Sequence, residues 1–259
     1  MHNAYFSLYC KISPIAITLR FFIVIIGNFL KNWEYPLLMF SLLSLTIGSL
    51  SAIIQTNLKR LFAYSSISHM GFIFLGLTSG IIATRHDVSR NAYAASLFYL
   101  IIYCLSALLI FGVLLFLSKE DHEYKEIKDL KGLNQYDSSL AVLILISMFS
   151  FAGIPPFIGF YSKVSIFQLM IENGNIIPAI IAIFFTLISA FYCLRIVKNV
   201  YFDKPVLSNN TSLVFFSKTK YLLYANGIII ILFSLFPDAL MNICIQIIEN
   251  SFKDNYLSY

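Results

Sequence analysis

Charged residues are what this sequence has least of. Asp, Glu, Lys and Arg make up 12% of its 259 residues, about half the share found in a soluble domain. That scarcity excludes an ordinary soluble enzyme and a disordered chain. Glycine (11) and proline (7) are too few for a collagen-like repeat. The four cysteines (Cys10, Cys104, Cys193, Cys244) lie far apart in apolar stretches, and none forms a CxxC. A disulfide-stapled scaffold is therefore excluded, no metal site is expected, and the thiols read as small buried hydrophobes. No basic stretch interleaved with aromatics marks a nucleic-acid surface, so no nucleic-acid partner is expected. Residues 1–10 lack a basic n-region, and the apolar stretch that follows is too long for a signal peptide. An Arg- and Ser-rich transit segment is missing too.

What the sequence has is apolar length. Hydrophobic residues make up 59% and the mean hydropathy is +0.80. Seven apolar segments stand out, at 4–27, 36–56, 61–83, 92–117, 139–171, 176–202 and 220–236, with a short tail at 238–252. Each can cross a hydrocarbon core of about 30 Å. Backbone groups in lipid must pair within their own segment, so the expected fold is all-α, a polytopic membrane bundle of about seven transmembrane helices. The segment 139–171 is overlong, about 50 Å as one helix. Gly153-Ile154-Pro155-Pro156 near its middle removes backbone donors and clashes with the preceding turn. The expectation is a discontinuous helix whose non-helical stretch is buried in protein; the alternative is a simple kink. Loops on the side of the N-terminus carry ten Lys or Arg and those on the other side four, which puts the N-terminus in the cytoplasm or matrix. The loop 119–131, with Tyr124, Ile127, Leu130 and Leu133 at threefold spacing, reads as a short amphipathic surface helix.

Lys11, Arg20, Lys163, Arg195 and His69 fall inside apolar segments, where ionisable groups are costly and mark function by default. Arg195 lies one turn before Lys198 and reads as snorkelling to the basic side. Arg20, toward the far interface, reads as an ion pair or a snorkel. Lys163 lies about 13 Å from Glu172 at the segment's end, hence near the midplane and just past the break. Broken helices there build ion sites in transporters, and desolvation disfavours the charged form of such a lysine. His69 is about 13 Å in from Arg60, with Ser65, Ser66 and Ser68 beside it. A proton relay and a hydrogen-bonded packing histidine both remain open. Lys11 reads on its own as an interfacial lysine.

Three stretches carry a resemblance: NLKRLFAYSSISHMGF (57–72), FAGIPPFIGFYSK (151–163) and SAFYCLRIVKNVYF (189–202). In this order they resemble the antiporter-like membrane subunits of respiratory complex I, the proton-pumping NADH:ubiquinone oxidoreductase, and among these the subunit 2 type. Val164 stands where related antiporters usually place an acid. The resemblance implies fourteen helices in full form, with two inverted five-helix repeats, each holding a discontinuous helix with a buried ionisable residue. Carried over, Lys163 is the lysine of the second broken helix and Gly153, Pro155, Pro156 and Gly159 form its break. His69, Ser65 and Ser68 lie on the polar axis. CKISPIAITLRFF (10–22) resembles the eighth helix, making Lys11 the bridging lysine, although Pro14 is uncommon there.

The domains that follow are 1–35, a first helix like the family's eighth; 36–202, the five-helix second repeat with broken helix 139–171; and 203–259, the last helix and tail. The resemblance implies no redox cofactor in this chain and a part of a proton path coupled to NADH oxidation by quinone. Its partners would be other complex I membrane subunits, the lipid bilayer, and a separate chain from a split gene supplying the N-terminal half. The Phe-, Ile-, Tyr- and Asn-rich composition suits an AT-rich mitochondrial genome. The expected location is the mitochondrial inner membrane, with the N-terminus in the matrix and the C-terminus in the intermembrane space. The alternatives are a module of a multisubunit sodium/proton antiporter and a non-pumping scaffold half-subunit.

Overall fold

Apolar runs in hydrocarbon can satisfy their backbone only along themselves, and this chain folds accordingly. The structure is a computed structural model that describes residues 33–83, 85–118, 124–204 and 218–256. Its helices are α1 (Glu34–Ile54), α2 (Leu58–Ile82), α3 (His86–Leu117), α4 (Leu133–Tyr136), α5 (Ser138–Ala152), α6 (Ile158–Glu172), α7 (Ile176–Tyr201), α8 (Lys218–Leu235) and α9 (Pro237–Tyr256). Among the described residues there is no β-strand, and one 3-10 turn, Ile127–Leu130, precedes α4. The segment 4–27, with Lys11 and Arg20, lies outside the described residues.

Helices α1, α2, α3 and α7 are each long and apolar enough to cross a membrane. Helices α5 and α6, at 15 residues each, reach only about 22 Å apiece and cross only end to end. Helix α3 is the hub, packed against α2, α5, α6, α8 and α9. Helices α1 and α2 approach closely through small residues: a Cβ on Gly48 would meet the Ser68 amide, and one on Gly71 would meet Ser44 and Leu45. The outward faces of α1 (Met39, Phe40, Leu43, Ile47, Leu50) and α7 (Ile177, Ile180, Phe184, Leu187, Phe191) are exposed apolar stripes. Such stripes suit hydrocarbon.

Three sequence readings change at the ends of the bundle. The described part of the loop before α4, residues 124–131, is not a continuous amphipathic helix. Glu126 pairs as an isolated bridge with Asn57, the Ile127 amide donates to the Thr56 carbonyl at 3.0 Å, and Ile127 and Leu130 are buried. Two exchanged backbone bonds hold the strap flat, and that overrides the threefold spacing. Arg195 does more than snorkel. Its guanidinium donates to the carbonyls of Ile53 (2.8 Å) and Gln55 (2.6 Å), filling acceptors that the end of α1 leaves open. The tail is the helix α9, bent by 90° from α8; Leu240, Cys244 and Ile248 along one face are buried, and Arg90 of α3 pairs with Glu249 at 3.6 Å.

Asp137 ties α5 to α8 at the basic end. It accepts the amides of Ser139 and Leu140 at 3.1 and 3.2 Å as the N-cap of α5 and binds Lys220 Nζ at 2.8 Å. Burial favours the protonated Asp137 carboxyl, but the bonds from Lys220, Ser139 and Leu140 outweigh it and hold the group below its ordinary range. A depressed carboxyl stabilises the fold above its unfolded pKa, near 3.9, and loses that contribution as pH falls through the folded value. Asp137→Asn keeps a capping oxygen and removes the charge. It should lower the melting temperature of the purified protein at pH 7, with the gap to wild type narrowing as pH drops below about 4. A gap independent of pH would count against this ion pair.

Candidate functional site

The break between α5 and α6 starts at Gly153, whose φ of +74° is the left-handed conformation that ends helices. The Gly153 amide donates to the carbonyls of Phe149 and Ser150, and the Ile154 amide to Phe149. These bonds satisfy two of the four carbonyls that a helix end orphans. The other two, of Phe151 and Ala152, accept from Lys163 Nζ at 2.9 and 3.0 Å. The lysine of the second half-helix therefore completes the cap of the first. On the other side, the Ile158 amide at the start of α6 donates to Ser234 Oγ of α8 at 2.9 Å. A Cβ on Gly159 would overlap the Ser150 carbonyl, so only glycine allows this approach.

Lys163 is 4% exposed. Burying an ammonium costs several kcal/mol. Offsetting it are two hydrogen bonds from a charged donor, about 1.5–3 kcal/mol each, and the negative end of α5, up to about 2 kcal/mol. The Phe72 ring, 5.3 Å from Nζ, adds about 2 kcal/mol at most. Cost and compensation are of the same order, so the buried ammonium depends on these contacts.

His69, 3% exposed, faces the same place from α2. Its Nδ1 lies 2.7 Å from the Tyr99 hydroxyl, and its ring is 5.0 Å from those of Tyr103 and Phe151. His69, Lys163, Tyr99, Tyr103, Ser106, Ser150 and Ser162 line a cavity of about 10 Å³, close to the room one water needs. Ser106 Oγ and Ser150 Oγ are hydrogen-bonded across it at 2.9 Å.

The structure thus joins Lys163, His69, Gly153 and Gly159. Ser65 turns instead to Tyr192 of α7, at 3.0 Å, and Ser68 lies where α1 passes closest, its buried Oγ without a partner. Neither lines the cavity. Pro155 and Pro156 are exposed among the described residues, so those residues alone do not cover the break. Lys11 lies outside the described residues. Sequence reasoning missed Tyr99, Tyr103, Tyr192, Ser106, Ser150 and Phe72. A one-turn pair, Tyr99 and Tyr103, inside an otherwise apolar helix was the signal available. No group of three or more His, Cys, Asp or Glu that could hold a metal exists among the described residues.

Known proteins resemble this chain along most of its length. The family described as "NADH:quinone oxidoreductase/Mrp antiporter, TM" matches residues 3–189. NADH-quinone oxidoreductase subunit N of Cupriavidus taiwanensis is 41% identical over 241 residues, 93% of this chain and 49% of that protein. Subunit N of Herminiimonas arsenicoxydans is 41% identical over 234 residues, 90% of this chain and 47% of that one. A chain of respiratory complex I from Thermus thermophilus with bound aureothin superposes with a TM-score of 0.66 at 26% identity, covering 80% of this chain and 45% of its own. The chain spans about half the length of the curated relatives it matches.

Gly153 carries a specific test of the break. Its left-handed backbone would cost another residue about 1–2 kcal/mol, and a Cβ there would stand 2.9 Å from Lys163 Cδ. Gly153→Ala should lower thermal stability by at least that amount. Gly112→Ala, whose Cβ would meet only the flexible end of Leu223, should cost less. Equal melting temperatures for the two variants would refute the cap geometry.

Proposed function

This chain belongs to the NADH:quinone oxidoreductase/Mrp antiporter transmembrane family, and on that premise we propose that it is part of a membrane-arm subunit of a proton-translocating NADH:quinone oxidoreductase, carrying one segment of the proton path. The observation that carries the reading is Lys163, buried at a helix break with its Nζ on two helix-end carbonyls and His69 across a small shared cavity. A scaffold needs no buried lysine, and subunit N relatives at 41% identity favour the oxidoreductase over a free-standing sodium/proton antiporter module. The chain has no redox role in this reading. Electron transfer elsewhere shifts local charge, and Lys163 answers by losing or gaining a proton that His69 relays, with Lys11 as the bridging lysine on the preceding segment.

Helices α1 to α7 form one five-helix unit with its broken span, which is the second repeat. The other half of the channel wall comes from polypeptide beyond these residues, on the same chain or a separate one. The relatives reported are bacterial, and their location would be the cytoplasmic membrane; the composition favours a mitochondrial inner membrane. In either case the basic loops, and with them the N-terminus, face the negative side, while the C-terminus reaches the opposite side; in mitochondria these are the matrix and the intermembrane space.

Lys163→Met should lower the protons moved per NADH oxidised in membrane vesicles containing the assembled complex, and Lys163→Arg should fail as well, because guanidinium keeps its proton. Wild-type pumping by Lys163→Met sinks the assignment. For His69, a relay predicts that Gln and Ala substitutions impair pumping nearly alike. A packing role predicts that Gln is tolerated and that Ala loses assembled protein.

A further inference from the structure

His69 is held at one ring nitrogen and open at the other. Nδ1 meets the Tyr99 hydroxyl at 2.7 Å, and both residues are 3% exposed. Nε2 is buried without a hydrogen-bond partner, although His69 and Lys163 line one cavity. A neutral imidazole carries a single N–H, and the group bonded to one nitrogen decides which one has it. Phenol is the better donor and an imidazole nitrogen the better acceptor, so the bond runs from Tyr99 O–H to Nδ1. The imidazole proton then sits on Nε2. The rings of Tyr103 and Phe151, each 5.0 Å from the imidazole, hinder its turning over.

We propose that Tyr99 is a positioning residue of the proton path: its hydroxyl, donating to Nδ1, keeps the His69 proton on Nε2 and presents that N–H to the cavity Lys163 lines. The proposal rests on the reading of Lys163 as a proton carrier. Lys163 Nζ has three protons when charged, and two are committed to the carbonyls of Phe151 and Ala152. The third and the Nε2–H are the donors left. The cavity, about 10 Å³, is close to the room for one water; a water there would accept from both and donate to the Ser106–Ser150 hydroxyl pair. For His69 to accept a proton at Nε2 instead, its own proton must move to Nδ1 and the Tyr99 hydroxyl must turn from donor to acceptor. Tyr99 thus sets the resting direction of the relay and acts through His69.

The test uses the assembled complex in membrane vesicles, reading protons moved per NADH oxidised and the amount of assembled complex. The variants are Tyr99→Phe, His69→Gln, the double variant, and Lys163→Met for comparison. Expected is a loss in Tyr99→Phe similar to that in His69→Gln, with the double variant no worse than either, as for two residues acting as one unit. Losses that multiply in the double variant overturn the proposal. So does wild-type pumping by Tyr99→Phe while Lys163→Met is impaired. Wild-type pumping by Lys163→Met removes the underlying reading, and the proposal with it. Should Tyr99→Phe fail to assemble, 3,5-difluorotyrosine at position 99 keeps the hydroxyl and makes it more acidic; altered pumping then supports the donor role and unaltered pumping overturns it.

Discussion

The hydrogen bonds from Lys163 Nζ to the carbonyls of Phe151 and Ala152 are the interaction on which this half-bundle turns. A helix that stops inside a membrane leaves carbonyls that lipid cannot satisfy. Gly153 and Ile154 close two of them with backbone donors. The remaining two need a donor from outside the helix, and it must come from a long side chain on the neighbouring half. The same contact that repairs the break therefore binds a titratable group there, and structure and chemistry share one set of atoms. A lysine that loses its proton keeps two N–H donors, enough for both carbonyls. The break can thus be capped in either protonation state, as the proposed proton exchange requires.

The rest of the packing supports that contact. Gly159 lets α6 come against the Ser150 carbonyl, setting how far back Lys163 must reach. Ser234 of α8 holds the first amide of α6. Asn173 at the other end of α6 donates to the carbonyl and hydroxyl of Ser79 on α2 at 2.9 and 2.8 Å. With both ends of α6 fixed, the ammonium position is determined to within side-chain freedom. Helix α3, packed on both halves of the broken span, brings Tyr99, Tyr103 and Ser106 to the cavity from one face, spaced by a turn or less along the helix.

How much of this was legible in the sequence follows from which forces are local. Apolar length and the absence of charge specify spans, and Gly153 with Pro155-Pro156 specifies the break, because both act within a few residues. Lys163 and His69 were legible as groups too costly to bury without purpose. Their partners were not. Tyr99 and Ser106 sit on a helix whose one polar hint is the Tyr99–Tyr103 pair, and the register of α3 against α2 and α5 is set by close packing that no single segment encodes. Arg195 shows the same limit: its position near a helix end was readable, but its acceptors, Ile53 and Gln55, lie 142 and 140 residues away. The strap at Ile127 failed differently, since two backbone bonds to the Thr56–Leu58 stretch outweighed a helical spacing.

The exposed break sets the last constraint. Pro155 and Pro156 carry no backbone N–H, so what needs partners there is the pair of carbonyls, and neither accepts a backbone hydrogen bond among the described residues. Each unsatisfied carbonyl in hydrocarbon costs several kcal/mol, and a fold is stable by only about 5–15 kcal/mol. Two such groups facing lipid near the midplane would consume much of that margin. The apolar stripes of α1 and α7 tolerate lipid; the face at Pro155-Pro156 does not. It must abut protein or water, and non-helical backbone at membrane depth survives only in those surroundings. Among the described residues, the outer side of the break that Lys163 caps from within is therefore a face where protein or water, and not lipid, is energetically required.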